Sequence, residues 1–406
     1  MNSETNCITP PAGNATNPPT ILQVLPSLET GGVERGTLDI ARALKEAGWR
    51  PIVASSGGTM VHELKRIGVD HFEMPLHSKN PFVIRRNIVR LRILIEAEGA
   101  DIVHARSRAP AHSAITAARQ ANVHFMTTFH ATYNFSTKPK RWYNSVMAKG
   151  ERIIAISNTL KEHILENYPV NPDRIRVIHR GVDFDRFDPK RVSAERIIRL
   201  SREWRLPDGV PVVLLPGRLT GWKGQRVLIE ALAKLPDRQI RCLLVGSDQG
   251  RDGFRKSLVE LAQRLNVEDI VHIVGECRDM PAAYMLADVV VSASTDPEGF
   301  GRVMVEAQAM GRPVIASDHG ASREIVRHGN TGWLFPPGDV QKLSERIAYA
   351  IQLSDKHRHQ IAEEAMANAR KNFDRTRMCK DTLDVYKELL NEPVPNAPIS
   401  TRPISA

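Results

Sequence analysis

The chain has 406 residues, 42% of them apolar and 25% charged, which suits a globular protein long enough for two domains of ordinary size. No apolar run approaches the ~20 residues that cross a bilayer. The start, residues 1–19, is polar and rich in Asn, Thr and Pro, without the basic opening and apolar core of a signal peptide, so a cytoplasmic protein is expected. The formal charge of +10 is uneven: residues 1–180 carry 23 Lys/Arg against 15 Asp/Glu, and the other 226 balance to +2. Such a basic half fits an anionic partner, an anionic membrane surface or nucleic acid, with plain solubility as the competing explanation. The cysteines at 7, 242, 277 and 379 show neither paired nor metal-type spacing, so no disulfide and no structural zinc is expected.

Residues 1–19 read as a disordered tail and residues 20–185 as a first α/β domain. Thr20–Ser27 is the first strand, followed by Gly31-Gly32 and a helix from about Val33 to Ala47. Glycines between a strand and a helix let backbone N–H groups approach a phosphate, although a lone Gly-Gly is as often only a turn. Strands at Pro51–Ser56, His71–Pro75, Ile102–His104, His124–Phe129 and Arg152–Ile156 alternate with helices, the rhythm of a doubly wound parallel sheet.

The helix over 81–96 is amphipathic twice over. Ile84, Ile88, Leu91 and Ile95 form a core stripe, while Phe82, Val89 and Ile93 lie opposite, fenced by Arg85, Arg86, Arg90 and Arg92. An apolar strip edged by guanidiniums suits a membrane surface with anionic headgroups; a solvated or doubly packed helix is the bland alternative. Lys79, Arg106, Arg108, Lys138, Lys140 and Arg141 extend the same basic face or line a groove. Aromatic interleaving is thin and no nucleic-acid motif appears, so no nucleic-acid partner is expected.

His130 follows a strand in TTFHATYN, where open α/β sheets place ligands. It could donate to a sugar hydroxyl or a phosphate; a structural histidine capping the loop competes on spacing alone. Ser157 opens a helix and is at least its N-cap. The stretch HRGVD ends the first domain, and residues 186–210 form a charged linker with a connecting helix. Asp183 and Asp185 spell D-x-D, a pattern that elsewhere suggests a metal-nucleotide site. Here they follow no buried strand and read as linker.

Residues 211–375 repeat the α/β pattern. Val212–Pro216 is a strand, and its loop carries Arg218 and Lys223 five residues apart, a spacing at which a fork and a point charge can clamp a diphosphate. A strand ending in Gly246 follows, and strand ends of this kind pack a nucleotide base. Val289–Val291 is a strand buried on both faces. Its loop holds Glu298, Gly299, Phe300 and Gly301 ahead of a helix from Arg302 to Met310, with Glu306 in the second turn. A helix N-terminus beside free backbone N–H groups suits phosphate oxygens or sugar hydroxyls, and carboxylates there accept from hydroxyls. Residues 376–391 read as a last helix and 392–406, with four prolines, as a disordered tail.

The run EGFGRVMVE resembles the E-x7-E signature of family 4 glycosyltransferases, retaining enzymes of the GT-B fold, in which two Rossmann-like doubly wound domains face each other across a cleft. GRLTGWKG, RGVD, His130 and Gly31-Gly32 extend the likeness over residues 20 to about 390. The resemblance implies a nucleotide-diphospho-sugar donor with no cofactor or metal, and a last helix that returns to the first domain. It makes Arg218 and Lys223 the partners of the leaving diphosphate, Glu306 the partner of the ribose, and Glu298 with the Gly299–Gly301 backbone the holder of the donor sugar. His130 would contact that sugar near its anomeric carbon. The wording SKNP, HARSRAP and LPGRLTGWKGQ is similar to bacterial lipopolysaccharide core enzymes, which implies an anionic glycan or glycolipid acceptor at the inner membrane's cytoplasmic face. Arg302 departs from the usual apolar residue after G-F-G. The competing readings are a phosphorylase or sugar-nucleotide epimerase of the same fold, and a basic binding module without catalysis.

Overall fold

The computed structural model describes residues 18–133, 137–250 and 252–395. Most of both terminal segments read above as disordered tails, together with Cys7, lies outside the described residues. Among the described residues thirteen strands form two separate sheets. The first contains β1 (Thr20–Val24), β2 (Arg50–Ser55), β3 (Asp70–Glu73), β4 (Ile102–Ala105), β5 (His124–Phe129), β6 (Ile153–Ala155) and β7 (Ile175–Val177), in the order β3-β2-β1-β4-β5-β6-β7. The second contains β8 (Val212–Pro216), β9 (Arg241–Val245), β10 (Val271–Gly275), β11 (Val289–Ser292), β12 (Val314–Ser317) and β13 (Gly332–Phe335), in the order β10-β9-β8-β11-β12-β13. Every pairing is parallel. The two sheets and their crossover helices make two Rossmann-like domains, the GT-B architecture.

The central strands are apolar throughout because helices cover both faces, as β1 (TILQV) and β8 (VVLLP) show with every residue buried. In each sheet the order reverses beside the first strand, between β1 and β4 and between β8 and β11. Loops leaving the strands there splay apart and open a crevice at their carboxyl ends.

Two surface expectations change. The helix Pro81–Glu98 buries Asn87, Leu91, Leu94 and Ile95, whereas Ile84 and Ile88 are only half-buried. The buried stripe is rotated because Asn87 is drawn inward, its Nδ2 donating to the Pro75 carbonyl at 3.0 Å. The opposite strip stays open, with Phe82, Val89 and Ile93 exposed by 78%, 48% and 54%. Arg85, Arg86 and Arg90 are exposed beside it, while Arg92 is turned to Glu96 at 2.9 Å. Arg106, read as part of the basic face, is instead buried, its Nη1 donating to Gln23 Oε1 at 3.2 Å.

The chain crosses between the halves twice, side by side. Val182 N–H donates to the Phe373 carbonyl at 2.8 Å and Arg375 N–H to the Val182 carbonyl at 3.1 Å. Beyond that point the helix Arg375–Leu390 packs on the first domain. Met378, Leu383, Tyr386 and Leu389 join Ile21, Ile40, Met126 and Ile154 in one apolar cluster. The Tyr386 hydroxyl meets His104 Nδ1 at 2.7 Å.

Candidate active site

A cavity of about 420 Å³ lies between the domains at the carboxyl ends of β1, β5, β8 and β11. The second domain builds one wall. After β8 the chain passes Arg218 and a single 3-10 turn, Gly221–Lys223, before the helix Gln225–Ala233. Gln225 Nε2 donates to the Arg218 carbonyl at 2.9 Å and fixes this loop. Lys223 Nζ sits 4.4 Å from the Trp222 ring centre, a cation on an aromatic face, and is bonded to Glu298 Oε1. The same Oε1 accepts from Ser294 Oγ at 2.7 Å, so the buried Glu298 carboxylate is paired and held in place. Phe300, Gly301 and Arg302 continue the wall to the start of the helix Arg302–Ala309.

Gly299 brings the two halves together. A side chain on it would lie 2.5 Å from the His130 carbonyl oxygen, so only glycine permits this approach. Its own carbonyl accepts from Ser157 Oγ at 2.8 Å. Ser157 also caps its helix at Leu160 N–H, 3.2 Å away, so its hydroxyl serves both the cap and the joint.

The first domain contributes Gly32, His130 and Arg180. Arg180 Nη2 lies 2.8 Å from His130 Nδ1, while His130 Nε2 is shielded from solvent and has no hydrogen-bond partner among the described residues. Burial, followed by the charges of Arg180 and Arg106 and the ring of His104, pushes the His130 pKa well below its ordinary value. Burial and the neighbouring Arg106 and Arg302 bring Arg180 down to about 9.

The structure thus brings His130, Arg218, Lys223, Glu298, Gly299, Phe300, Gly301 and Gly32 to one cavity. Gly31, Gly246 and Glu306 are placed outside its wall. The Glu34 carboxylate lies over Gly31, and Gly246 packs against the Gly217 carbonyl. Glu306 is buried behind the wall: the Tyr284 hydroxyl donates to its Oε2 at 3.0 Å and Arg302 Nη2 lies 3.2 Å from its Oε1. Arg85, Arg86, Arg90 and Arg92, on the helix Pro81–Glu98, are not among the residues lining the cavity. Asp183 is bonded to Arg375 and Asp185 lies 3.0 Å from Arg191, so the D-x-D pair is split between two arginines. Among the described residues, no group of three or more His, Cys, Asp or Glu is disposed to hold a metal.

Arg180 is the site residue that the sequence pattern hid. It stands inside RGVD, read above only as the end of the first domain, and the three-residue β7 before it went unread as a strand. Recognising IRV as a strand end would have placed Arg180 where such sheets bind ligands.

Residues 30–186 match the Glycosyltransferase Family 4 model, and residues 197–367 match that of Glycosyl transferases group 1. A solved glycosyltransferase from Rickettsia africae is 41% identical with a TM-score of 0.86, over 93% of this chain and 100% of that one. The Anabaena protein Alr3699/HepE, solved with UDP-glucose, is 25% identical with a TM-score of 0.80, over 91% of this chain and 100% of that one. The D-inositol 3-phosphate glycosyltransferase of Xylanimonas cellulosilytica is 33% identical over 247 residues, 60% of this chain and 58% of that protein. The chain spans from about half to two thirds of the length of the first curated relatives it matches, 52% to 67%. With paired Rossmann-like sheets, a cavity between them walled by Arg218, Lys223 and Glu298, and these matches, the protein belongs to the family 4 glycosyltransferases of the GT-B fold.

Proposed function

We propose that the protein is a retaining, metal-independent hexosyltransferase that moves a sugar from a nucleoside-diphosphate donor to an anionic, membrane-held glycan, the core of a lipopolysaccharide. The observation that carries the donor assignment is the gathering of Arg218, Lys223, Glu298 and the Gly299–Gly301 backbone on one wall of the cavity. The two cations take up the charge that develops on the departing diphosphate. Glu298 and the loop N–H groups bind the sugar hydroxyls, and Glu306 behind them reaches the ribose. His130 Nε2 donates to a sugar hydroxyl near the anomeric carbon. Retention follows from attack on the same face, with the leaving phosphate taking the acceptor's proton. UDP-hexoses are the first donors to test, because the Anabaena relative is solved with UDP-glucose.

Two features support an anionic acceptor at a membrane surface. A second cavity, of about 440 Å³, opens at the ends of β1 and β4, where His77, Lys79, Arg108 and Lys140 line it without an acidic neighbour in its wall. It suits a phosphate or carboxylate of the acceptor. The exposed Phe82, Val89 and Ile93, edged by Arg85, Arg86 and Arg90, suit peripheral contact with anionic headgroups. No helix among the described residues is long and apolar enough to cross a membrane.

Purified protein is incubated with UDP-, GDP- and ADP-sugars in EDTA while nucleoside-diphosphate release and nucleotide binding are followed, with Lys223→Ala as control. Turnover of one donor, lost in the variant, is the expected result. Activity abolished by EDTA would overturn metal independence, and failure to bind any nucleotide would overturn the donor assignment.

A further inference from the structure

We propose that Arg180 is a positioning residue that holds His130 in a single neutral tautomer, its Nε2–H presented to the cavity. The glycosyl-transfer reading is needed only to say what receives that hydrogen bond, a hydroxyl of the donor sugar. The geometry rests on three observations. A guanidinium only donates, so at 2.8 Å from Arg180 Nη2 the His130 Nδ1 must be the acceptor. A neutral imidazole then carries its one proton on Nε2. His130 lines the cavity, and its Nε2, hidden from water, has no hydrogen-bond partner among the described residues.

The surroundings keep the ring neutral. A proton on Nδ1 would set two cations face to face, and every neighbour that bears on the ring acts in the same direction. Arg180 stands on the hinge after β7, Arg106 at the end of β4, and His104, itself neutral and bonded to Tyr386 and Thr128, on β4. The counter-charges nearest Arg180 are Asp39 and Glu34 on the helix Gly32–Glu46, with Arg302 opposing them from the second domain. None of these acids lies within salt-bridge distance of Arg180 among the described residues. A buried arginine that gives its hydrogen bond to a histidine instead of a carboxylate is costly to keep, and that cost is understandable if the histidine is what the site needs.

The helix Gly32–Glu46 supplies an independent handle. A side chain at Gly36 would collide with Arg180 Nη1 and lie 3.1 Å from Arg106 Nη2. Gly36 is helical, so Gly36→Ala improves helix propensity while displacing the guanidinium.

The test uses the free protein labelled with 15N-histidine, so it needs no substrate and stands apart from the donor screen. In the wild type, long-range 15N correlation spectra are expected to show His130 unprotonated at Nδ1 and protonated at Nε2 down to acidic pH. Arg180→Met and Gly36→Ala should each mix the two tautomers and raise the pH at which the ring titrates. Arg180→Lys, which retains a cationic donor, should restore most of the wild-type pattern. With an active donor, Arg180→Met should lower kcat about tenfold with little change in donor KM, and carry the acid limb of kcat/KM to higher pH. A single Nε2–H tautomer and an unmoved acid limb in both Arg180→Met and Gly36→Ala would overturn the proposal. If Arg180→Met does not fold, Gly36→Ala decides by the same spectrum.

Discussion

Glu324 is the place where a single charge ties the domains together. It stands on the short helix Ser322–Ile325 of the second domain and reaches the N-terminus of the helix Asn158–Asn167 in the first. Its carboxylate accepts from Asn158 N–H at 2.8 Å, Asn158 Nδ2 at 3.0 Å, Thr159 N–H at 2.8 Å, Thr159 Oγ1 at 2.9 Å and His179 Nε2 at 2.8 Å. Burial alone would raise its pKa, but the bonds from His179, Thr159 and Asn158 outweigh that and bring it from 4.5 to about 2. A shift of that size is worth roughly 3 kcal/mol, which we reduce to about 2 because part of the site remains open to water. The folded pKa is the lower one, so the contribution is complete above pH 4.5 and disappears as pH falls toward 2. Glu324→Gln should therefore cost about 2 kcal/mol at pH 6, and the gap to wild type should narrow steadily below pH 4.5. Urea unfolding of both proteins, followed by tryptophan fluorescence between pH 6 and 3, measures this. Equal midpoints at pH 6, or a gap that does not change with pH, would refute the reasoning.

Three further outcomes are expected. Lys223→Ala should lower kcat/KM by about 10²–10³ through loss of charge at the leaving diphosphate; because it also leaves the buried Glu298 unpaired, a circular dichroism melt must accompany the kinetics. Glu306→Gln should weaken nucleotide binding by about tenfold in calorimetry, whereas unchanged affinity would confine Glu306 to its bonds with Tyr284 and Arg302. Neutralising Arg85, Arg86 and Arg90 together should reduce sedimentation with anionic vesicles at about 1 kcal/mol per charge and leave neutral vesicles unaffected.

The strands were legible because the sheets are covered on both faces, and continuous apolar runs such as those of β8 and β11 have few other uses. The three-residue β7 and the helix Lys138–Asn144 were not, because neither is long enough to establish a period. In the site, Arg218, Lys223, Glu298 and His130 could be found because each follows a strand that announces itself. Glu306 could be named but not placed: spacing sets it one turn or so beyond Gly301, and only the packing of Tyr284 beneath it decides that it lies behind the wall. Asn87 misled the reading of its helix for a related reason. A polar residue with a backbone carbonyl within reach is buried as readily as a leucine, and hydropathy alone does not see the carbonyl.

His179 and Arg180 connect the joint to the chemistry. They are consecutive residues in a chain without helix, and they serve opposite sides: His179 meets Glu324 and lies edge-on to Phe373, while Arg180 turns back to His130. Two residues later Val182 bonds to the returning chain at Phe373 and Arg375, a backbone bridge between the two crossings and hence a natural pivot for hinge motion. A rotation that parts the domains must therefore strain or break the bonds of Glu324 to His179, and it draws on the same two-residue stretch that places Arg180 against the ring of His130. Cleft closure is thus expected to act on His130 both through this stretch and through Gly299, which lies against the His130 carbonyl. Glu324→Gln should accordingly disturb the His130 nitrogen signals although it lies in the other domain, and Glu162→Gln, on the exposed flank of the same first-domain helix, should leave them unmoved. If the Glu324 variant gives the wild-type spectrum, the joint and the histidine are independent and Arg180 alone sets the tautomer.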